Sequence, residues 1–500
     1  MFSRIILVAL MISVQIALIT LVLVHFSNQA QYVYIFLHAL SVILVIRAVG
    51  SSENPSFKIT WIIFILLLPL TGGVFYLLFG NKRMPKKLQR LMSSKLEDTG
   101  AYMPPNTVSE NIAVTNPQMA RQCRYIYNMS GFPARDGTEA EYFTVGEDMF
   151  DRMVKSLRSA KRFIFLEFYI IRPGYMWETI FEILKDKVKS GVEVRLMYDD
   201  IGCLKTLPDG YDTLIKSAGI KLCIFNPLRP HVSAVMNYRD HRKIVVIDGD
   251  TAFCGGINIA DEYINRVSRL GHWKDTGVLL KGRAVWNFTF MFLQQWQFAT
   301  DETIDFGKYR HTNSAQPGKG FVQVFDDSPL DNVSVTLNVY HSILSRATKY
   351  VYITTPYLVI DYRMEEALCS AAGSGVDVRI ITPHIYDKWF VHNLTRSHYK
   401  KLTAAGVKIY EYTPGFMHGK AVVSDDKVCL VGTCNMDYRS FYLNYECTVA
   451  FYNAPIIEDV REDMLYCQSV SRLITSDDVK NISLPIRIVR GILKLFAPLM

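Results

Sequence analysis

Four short blocks of this 500-residue chain occur twice, in the same order. Lys161–Tyr169 is echoed by Lys349–Tyr357, Ser190–Arg195 by Ser374–Arg379, and Ala218–Lys221 by Ala405–Lys408. The fourth block, His241-x-Lys243 with Asp248, returns as His418-x-Lys420 with Asp425. Offsets of 177 to 188 residues need only small loop differences to align the copies. Ordered recurrence of this kind is the mark of a duplicated unit, so the chain is expected to fold as two like lobes about a pseudo-twofold axis. Within each copy, runs rich in β-branched and aromatic residues (Phe163–Leu166, Val192–Tyr198, Ile220–Phe225, Lys243–Ile247) alternate with helical patterns such as Trp177–Lys189. That alternation predicts an α/β class with a mixed sheet between helices, α/β/α in each lobe. The first lobe is placed at 141–300, closed by an amphipathic helix over 284–299, and the second at 321–480. The Gly- and Pro-bearing stretch 301–320 reads as the linker between them.

The front of the chain obeys a different rule. Ile5–Val24 is 20 residues without a charge, Tyr32–Ile46 is 15, and Ile59–Gly80 is 22 with Trp61 and Tyr76 near its ends. At about 1.5 Å per residue the first and third match a bilayer core and the second falls short. Residues 1–80 are therefore expected to hold transmembrane helices, the third kinked at Pro69. Six Lys and Arg between 82 and 95, with no acidic residue, open the connecting region 81–140 and put everything after it on the cytoplasmic side of a cell membrane. The net charge of +8 favours anionic partners mildly. Half the residues are hydrophobic, which excludes a disordered chain. The nine cysteines contain no C-x-x-C, so neither a disulfide framework nor a zinc cluster is implied. In the last 16 residues, Arg487, Arg490 and Lys494 share one helical face, so 481–500 reads as an interfacial amphipathic helix.

The chemistry lies in the fourth block. On a strand, positions i and i+2 share a face, so the His and Lys of each copy point together. A glycine follows each His by 14 residues (Gly255, Gly432) and an asparagine by 17 (Asn258, Asn435). Two such sets meeting at a pseudo-twofold interface make one site. There two lysines and two asparagines neutralise and orient a phosphodiester, one imidazole attacks phosphorus, and the other donates a proton to the leaving alkoxide. The lysines supply the charge a divalent ion otherwise would, so neither metal nor cofactor is called for.

This duplicated pattern resembles the HKD signature of the phospholipase D superfamily, and the stretches His241–Gly249, Gly255-Gly256-x-Asn258, Gly432-Thr433-x-Asn435, Trp273–Thr276 and Asn444–Glu446 are similar to bacterial cardiolipin synthases. The likeness covers about residues 32–500 and includes the segment from Trp61 to Gly80. It implies phosphatidyl transfer between two phosphatidylglycerol molecules, giving cardiolipin and glycerol through a phosphohistidine. His241, Lys243, Asp248, His418, Lys420 and Asp425 become the catalytic signature, with Asn258, Asn435, Gly256 and Thr433 toward the substrate. His241 is assigned to attack and His418 to acid–base work. In relatives an acidic residue downstream orients each histidine. Glu446, 28 residues after His418, fits that role, with Asp275 as its counterpart. The signature aspartates read as more structural than chemical. Rival readings are a phospholipase D hydrolase, a phosphatidyltransferase with another alcohol, and a membrane protein that only binds anionic lipid. A nuclease is disfavoured by the apolar front, so nucleic acid is not an expected partner.

Overall fold

The computed structural model describes residues 30–80, 100–228, 237–310, 316–330 and 333–499, together with Ser13 and Ala17. The expected span at 5–24 and the basic stretch 82–95 lie outside these. The described residues fall into two compact units. One is drawn from Met1–Met84, Pro230–Asn237 and Gly491–Met500, the other from Pro85–Arg229 and Tyr238–Arg490.

In the first unit, α1 (Ala30–Val49) is followed by α2 (Pro55–Leu67) and α3 (Pro69–Phe75), then a single π-helical turn to Gly80. The single kinked span expected over 59–80 is thus broken in two. Pro69 drives the preceding Leu68 out of helical geometry (φ −132°, ψ 75°) and restarts a helix as its first residue. The two pieces fold back on each other so closely that a Cβ on Gly72 would lie 2.2 Å from the Phe64 carbonyl oxygen. Leu44, Ala48, Trp61, Ile65 and Tyr76 form the core of this hairpin. Thr60 Oγ1 also donates to the Leu495 carbonyl at 2.7 Å. Among the described residues no helix is long and apolar enough to cross a membrane.

The second unit carries the duplication. Its first half supplies β1 (Thr138–Phe143), β2 (Phe163–Phe168), β3 (Glu193–Asp199), β4 (Lys221–Phe225) and β5 (Arg239–Asp240). β6 (Ile244–Ile247), β7 (Thr251–Gly255), β8 (His272–Lys274) and β9 (Gly277–Gly282) complete it, and α4 (Val285–Thr300) follows. The second half supplies β10 (Phe321–Asp327), β11 (Tyr350–Thr354), β12 (Leu358–Val359), β13 (Asp377–Pro383) and β14 (Lys408–Tyr412). Then come β15 (Gly415–Met417), β16 (Ala421–Ser424), β17 (Val428–Gly432), β18 (Met436–Asp437), β19 (Asn444–Tyr452) and β20 (Ser471–Leu473). The first sheet runs β1-β9-β7-β6-β2-β3-β4, and the second repeats that order as β10-β19-β17-β16-β11-β13-β14 and adds β20 beyond β14. In both, one trio (β2-β3-β4 and β11-β13-β14) is parallel and the other neighbours in the order are antiparallel, the mixed sheet expected of the repeat. β2 (Phe-Ile-Phe-Leu-Glu-Phe) is buried along its whole length because its sheet is covered on both faces.

One expectation needs correction. α4 is not amphipathic: nearly every side chain from Val285 to Gln297 is buried. Phe292 stacks on Phe165 of the first sheet at 4.6 Å, while Asn287 Nδ2 donates to Val324 in β10 of the second at 3.0 Å. The described part of 301–320, the expected linker, is packed against the first lobe. Phe306 and Tyr309 are buried, Tyr309 lies 5.2 Å from both Phe163 and Phe165, and Glu302 pairs with Arg195 at 3.0 Å.

Candidate active site

Each histidine is delivered by a short strand that joins the other lobe. β5 runs parallel to the start of β19, Arg239 against Asn444 and Asp240 against Tyr445, and the His241 amide donates to the Tyr445 carbonyl at 3.0 Å. In mirror fashion β15 runs parallel to β8, Gly415 against His272 and Met417 against Lys274, and the His418 amide donates to the Lys274 carbonyl at 2.7 Å. The next residue on each partner strand is an acid, Glu446 after Tyr445 and Asp275 after Lys274. Strand exchange therefore sets each acid beside the histidine of the opposite copy.

His241 Nδ1 lies 3.0 Å from both carboxylate oxygens of Glu446, and His418 Nδ1 lies 2.6 Å from Asp275 Oδ2. The acids expected as orienting groups stand beside the histidines of the opposite copy, not beside those they follow in the chain. With Nδ1 held by a carboxylate in both cases, Nε2 is the nitrogen left for chemistry. Each acid is fixed in turn. Thr433 Oγ1 donates to Glu446 Oε2 at 2.5 Å and Asn444 Nδ2 to Oε1 at 3.1 Å. Asp275 accepts from the Thr276 amide at 2.9 Å and from Trp273 Nε1 at 3.3 Å. Gly256 occupies the position equivalent to Thr433, and a Cβ there would lie 2.0 Å from Asp275 Oδ1. Gly256 and Thr433, read from the resemblance as substrate residues, are thus placed against the acids.

Lys243 and Lys420 are buried beside their histidines. Lys243 Nζ donates to the His241 carbonyl at 2.5 Å, and Lys420 Nζ donates to the His418 carbonyl and sits 2.9 Å from its Nδ1. Burial lowers Lys243 to about 8 and Lys420 to about 7. Burial and then the lysines hold His241 well below the ordinary imidazole range and bring His418 to about 4. Each histidine feels the lysine of the other copy, so the two sets lie within electrostatic reach of one another. The acids differ. Burial raises Glu446 to about 7. Burial would raise Asp275 too, but the His418 and Lys420 charges outweigh it and keep this carboxyl below its ordinary value.

The remaining signature residues do other work. Asp248 accepts from the amides of Lys161, Arg162 and Phe163 at 2.7–2.9 Å, and Asp425 from those of Thr348, Lys349 and Tyr350 at 2.7–2.9 Å. They clamp the entry of β2 and β11 at the strand end remote from the histidines. Asn258 accepts from the Ile170 amide at 3.0 Å and gives one amide hydrogen to Tyr263 Oη at 2.8 Å. Asn435 bonds to Asp437 and has an Oδ1 without a partner among the described residues. No three His, Cys, Asp or Glu side chains among the described residues come together as metal ligands.

Sequence reasoning passed over the aromatic walls. Tyr169 lies 5.1 Å from the His241 ring with Lys243 Nζ 5.6 Å over its face, and Tyr263 and Trp273 lie 5.6 and 5.1 Å from His418. Tyr169 ends the first repeated block and matches Tyr357, a signal that was available. It also passed over Arg242, fully buried with Nε 3.1 Å from Glu167 and 3.2 Å from Asp240, which ties the His241 strand to β2.

Comparison with known proteins places this geometry. Residues 153–269 and 340–467 match the family model described as "Cardiolipin synthase, PLD-like domain", and residues 39–81 match "Phospholipase D-nuclease N-terminal". An uncharacterized protein of Streptococcus mutans is 40% identical over 458 residues, 91% of this chain and 99% of its own. A cardiolipin synthase of Halalkalibacterium halodurans is 33% identical over 460 residues, 90% of each chain. One of Geobacillus kaustophilus is 33% identical over 466 residues, 92% of each. Among solved structures, phosphatidylserine synthase of Haemophilus influenzae superposes with a TM-score of 0.57 at 15% identity, covering 76% of this chain and 98% of that one, a likeness of fold.

Proposed function

Because the chain belongs to the cardiolipin synthase family of phospholipase D-like enzymes, we propose that it transfers a phosphatidyl group from one phosphatidylglycerol to another, releasing glycerol. His241 Nε2 attacks phosphorus, the bond to the headgroup glycerol breaks, and the imidazolium of His418 gives that alkoxide its proton. A terminal hydroxyl of the second lipid then loses its proton to His418 and attacks phosphorus. The P–N bond breaks, cardiolipin leaves, and His241 is regenerated neutral.

The assignment of roles follows from the acids. Asp275 remains ionised and, against the burial and lysine charge that bring His418 to about 4, favours the protonated imidazole an acid catalyst requires. Glu446, raised to about 7, offers His241 less help toward protonation and leaves it the neutral nucleophile. Lys243 and Lys420 supply positive charge to the phosphoryl oxygens, and Asn258 and Asn435 turn their remaining hydrogens toward them. The single observation carrying this reading is the crossed pairing His241–Glu446 and His418–Asp275. The apolar front, the match at 39–81 and the basic cluster at 82–95 support a multi-pass protein of the cell membrane with its lobes on the cytoplasmic side.

Incubating the purified protein with phosphatidylglycerol alone tests the function. Cardiolipin and glycerol in equal amounts, with an acid-quenched phosphatidyl adduct on His241, are expected. Phosphatidic acid without cardiolipin would make it a hydrolase.

A further inference from the structure

Two exposed features have no role in the chemistry above. The first is the start of α5 (Trp389–Ala404), where Trp389 is 53% and Phe390 40% exposed. The second is α6 (Leu484–Phe496), a 13-residue helix with no side chain buried. Soluble helices cover one face against a core. On α6, Leu484 and Ile488, one turn apart, are 65% and 54% exposed, and Arg487 flanks them. The helix carries Arg487, Arg490 and Lys494 and no acidic residue.

The two features are tied together. Arg490 Nε donates to Asn393 Oδ1 at 3.4 Å, and Asn393 is one turn beyond Trp389, on the same face of α5. The α5 start is also tied to the active site. Lys388 Nζ lies 5.2 Å over the Tyr357 ring, whose hydroxyl donates to Asp387 at 2.6 Å. Lys388 is close enough to His241 for its charge to disfavour protonation of that imidazole.

We propose that Trp389 and Phe390 of α5, with Leu484 and Ile488 of α6, form a face that docks on an anionic bilayer surface and holds the catalytic mouth against it, with Lys388 at the edge where a lipid phosphate enters. Exposed aromatic and aliphatic side chains beside cations, with no acid on the helix, suit the boundary between acyl chains and anionic headgroups and little else. The inference deepens the functional reading and rests on it for the identity of the entering lipid, but the docking itself is measurable without turnover.

Full-length protein reconstituted in phosphatidylglycerol bilayers with brominated acyl chains provides the test. The tryptophan quenching lost on Trp389→Phe is expected to be substantial there and much weaker in brominated phosphatidylcholine bilayers. No difference between wild type and Trp389→Phe in either bilayer overturns the proposal, and equal quenching in both removes its electrostatic half. In a second arm, Trp389→Ala with Ile488→Glu is expected to slow cardiolipin formation in bilayers on the order of tenfold while leaving turnover of detergent-dispersed short-chain phosphatidylglycerol within about twofold. Equal losses in the two formats would mean a structural role and overturn it. Quenching without any cardiolipin would sink the functional reading and leave the docking face standing.

Discussion

Burial puts three groups of the site, Glu446 and the two lysines, in the working range. Burial brings Lys420 to about 7 and Lys243 to about 8, so in the free enzyme both lose their protons as pH rises through that window, and with them the charge that captures a phosphodiester. The expected result is a kcat/KM that falls from pH about 7 upward, as Lys420 is the first to lose its charge. Lys420→Arg, whose guanidinium stays charged, should lower the rate yet shift that falling limb upward. A limb that does not move in a pH–rate series would detach it from Lys420. The crossed pairs make a second prediction. His241→Ala should cost about 10²–10⁴ in kcat, and adding Glu446→Gln should cost little more, because the two act as a unit. Adding Asp275→Asn instead should deepen the loss. A double-mutant cycle decides between crossed and within-copy pairing. The sequence could name all four of these residues but not their partners, because spacing along the chain says nothing of a strand that crosses to the other lobe.

At the level of elements, the signature aspartates belong to folding. Asp248→Ala removes the acceptor for three backbone amides at the entry of β2, and is expected to destabilise the protein by about 2–4 kcal/mol. The turnover of molecules that remain folded should stay within about twofold, which separate thermal-unfolding and active-site-normalised rate measurements check. Gly256→Ala should behave in the opposite way. Its methyl would press on the Asp275 carboxylate from 2.0 Å and displace it from His418, with kcat falling about 10²-fold. A Thr is accommodated at the equivalent position of the second copy because its hydroxyl bonds to Glu446 there. β2, β3, β4 and β6 were legible from their β-branched and aromatic runs, and their counterparts in the second copy from the repeat. The break at Leu68 and the burial of α4 were not. A proline in an apolar run permits either a kink or a stop, and Phe, Trp and Gln at helical spacing do not reveal a second sheet on the far side.

At the scale of the whole molecule, the duplication matters because neither lobe holds a complete histidine–acid pair. The seam that completes them is built from main chain at close range. On the β8–β15 side, a Cβ on Gly415 would lie 2.1 Å from the His272 carbonyl oxygen, and one on Gly271, which has φ +74°, 2.6 Å from that of Pro414. Only glycine permits this approach. Gly415→Val should therefore part β15 from β8, release the His418 amide from Lys274, and carry the imidazole away from Asp275. Because the substituted residue lies outside both seven-strand series, each lobe should keep its sheet. The expected outcome is an unchanged far-ultraviolet circular dichroism spectrum with kcat reduced about 10²-fold or more, since a displacement of an ångström at a reacting group costs that much. An adduct should still accumulate on His241 in acid-quenched samples when the leaving group needs little protonation, because the His241–Glu446 pair lies on the opposite seam. Full activity in Gly415→Val would show that strand exchange is not what positions His418.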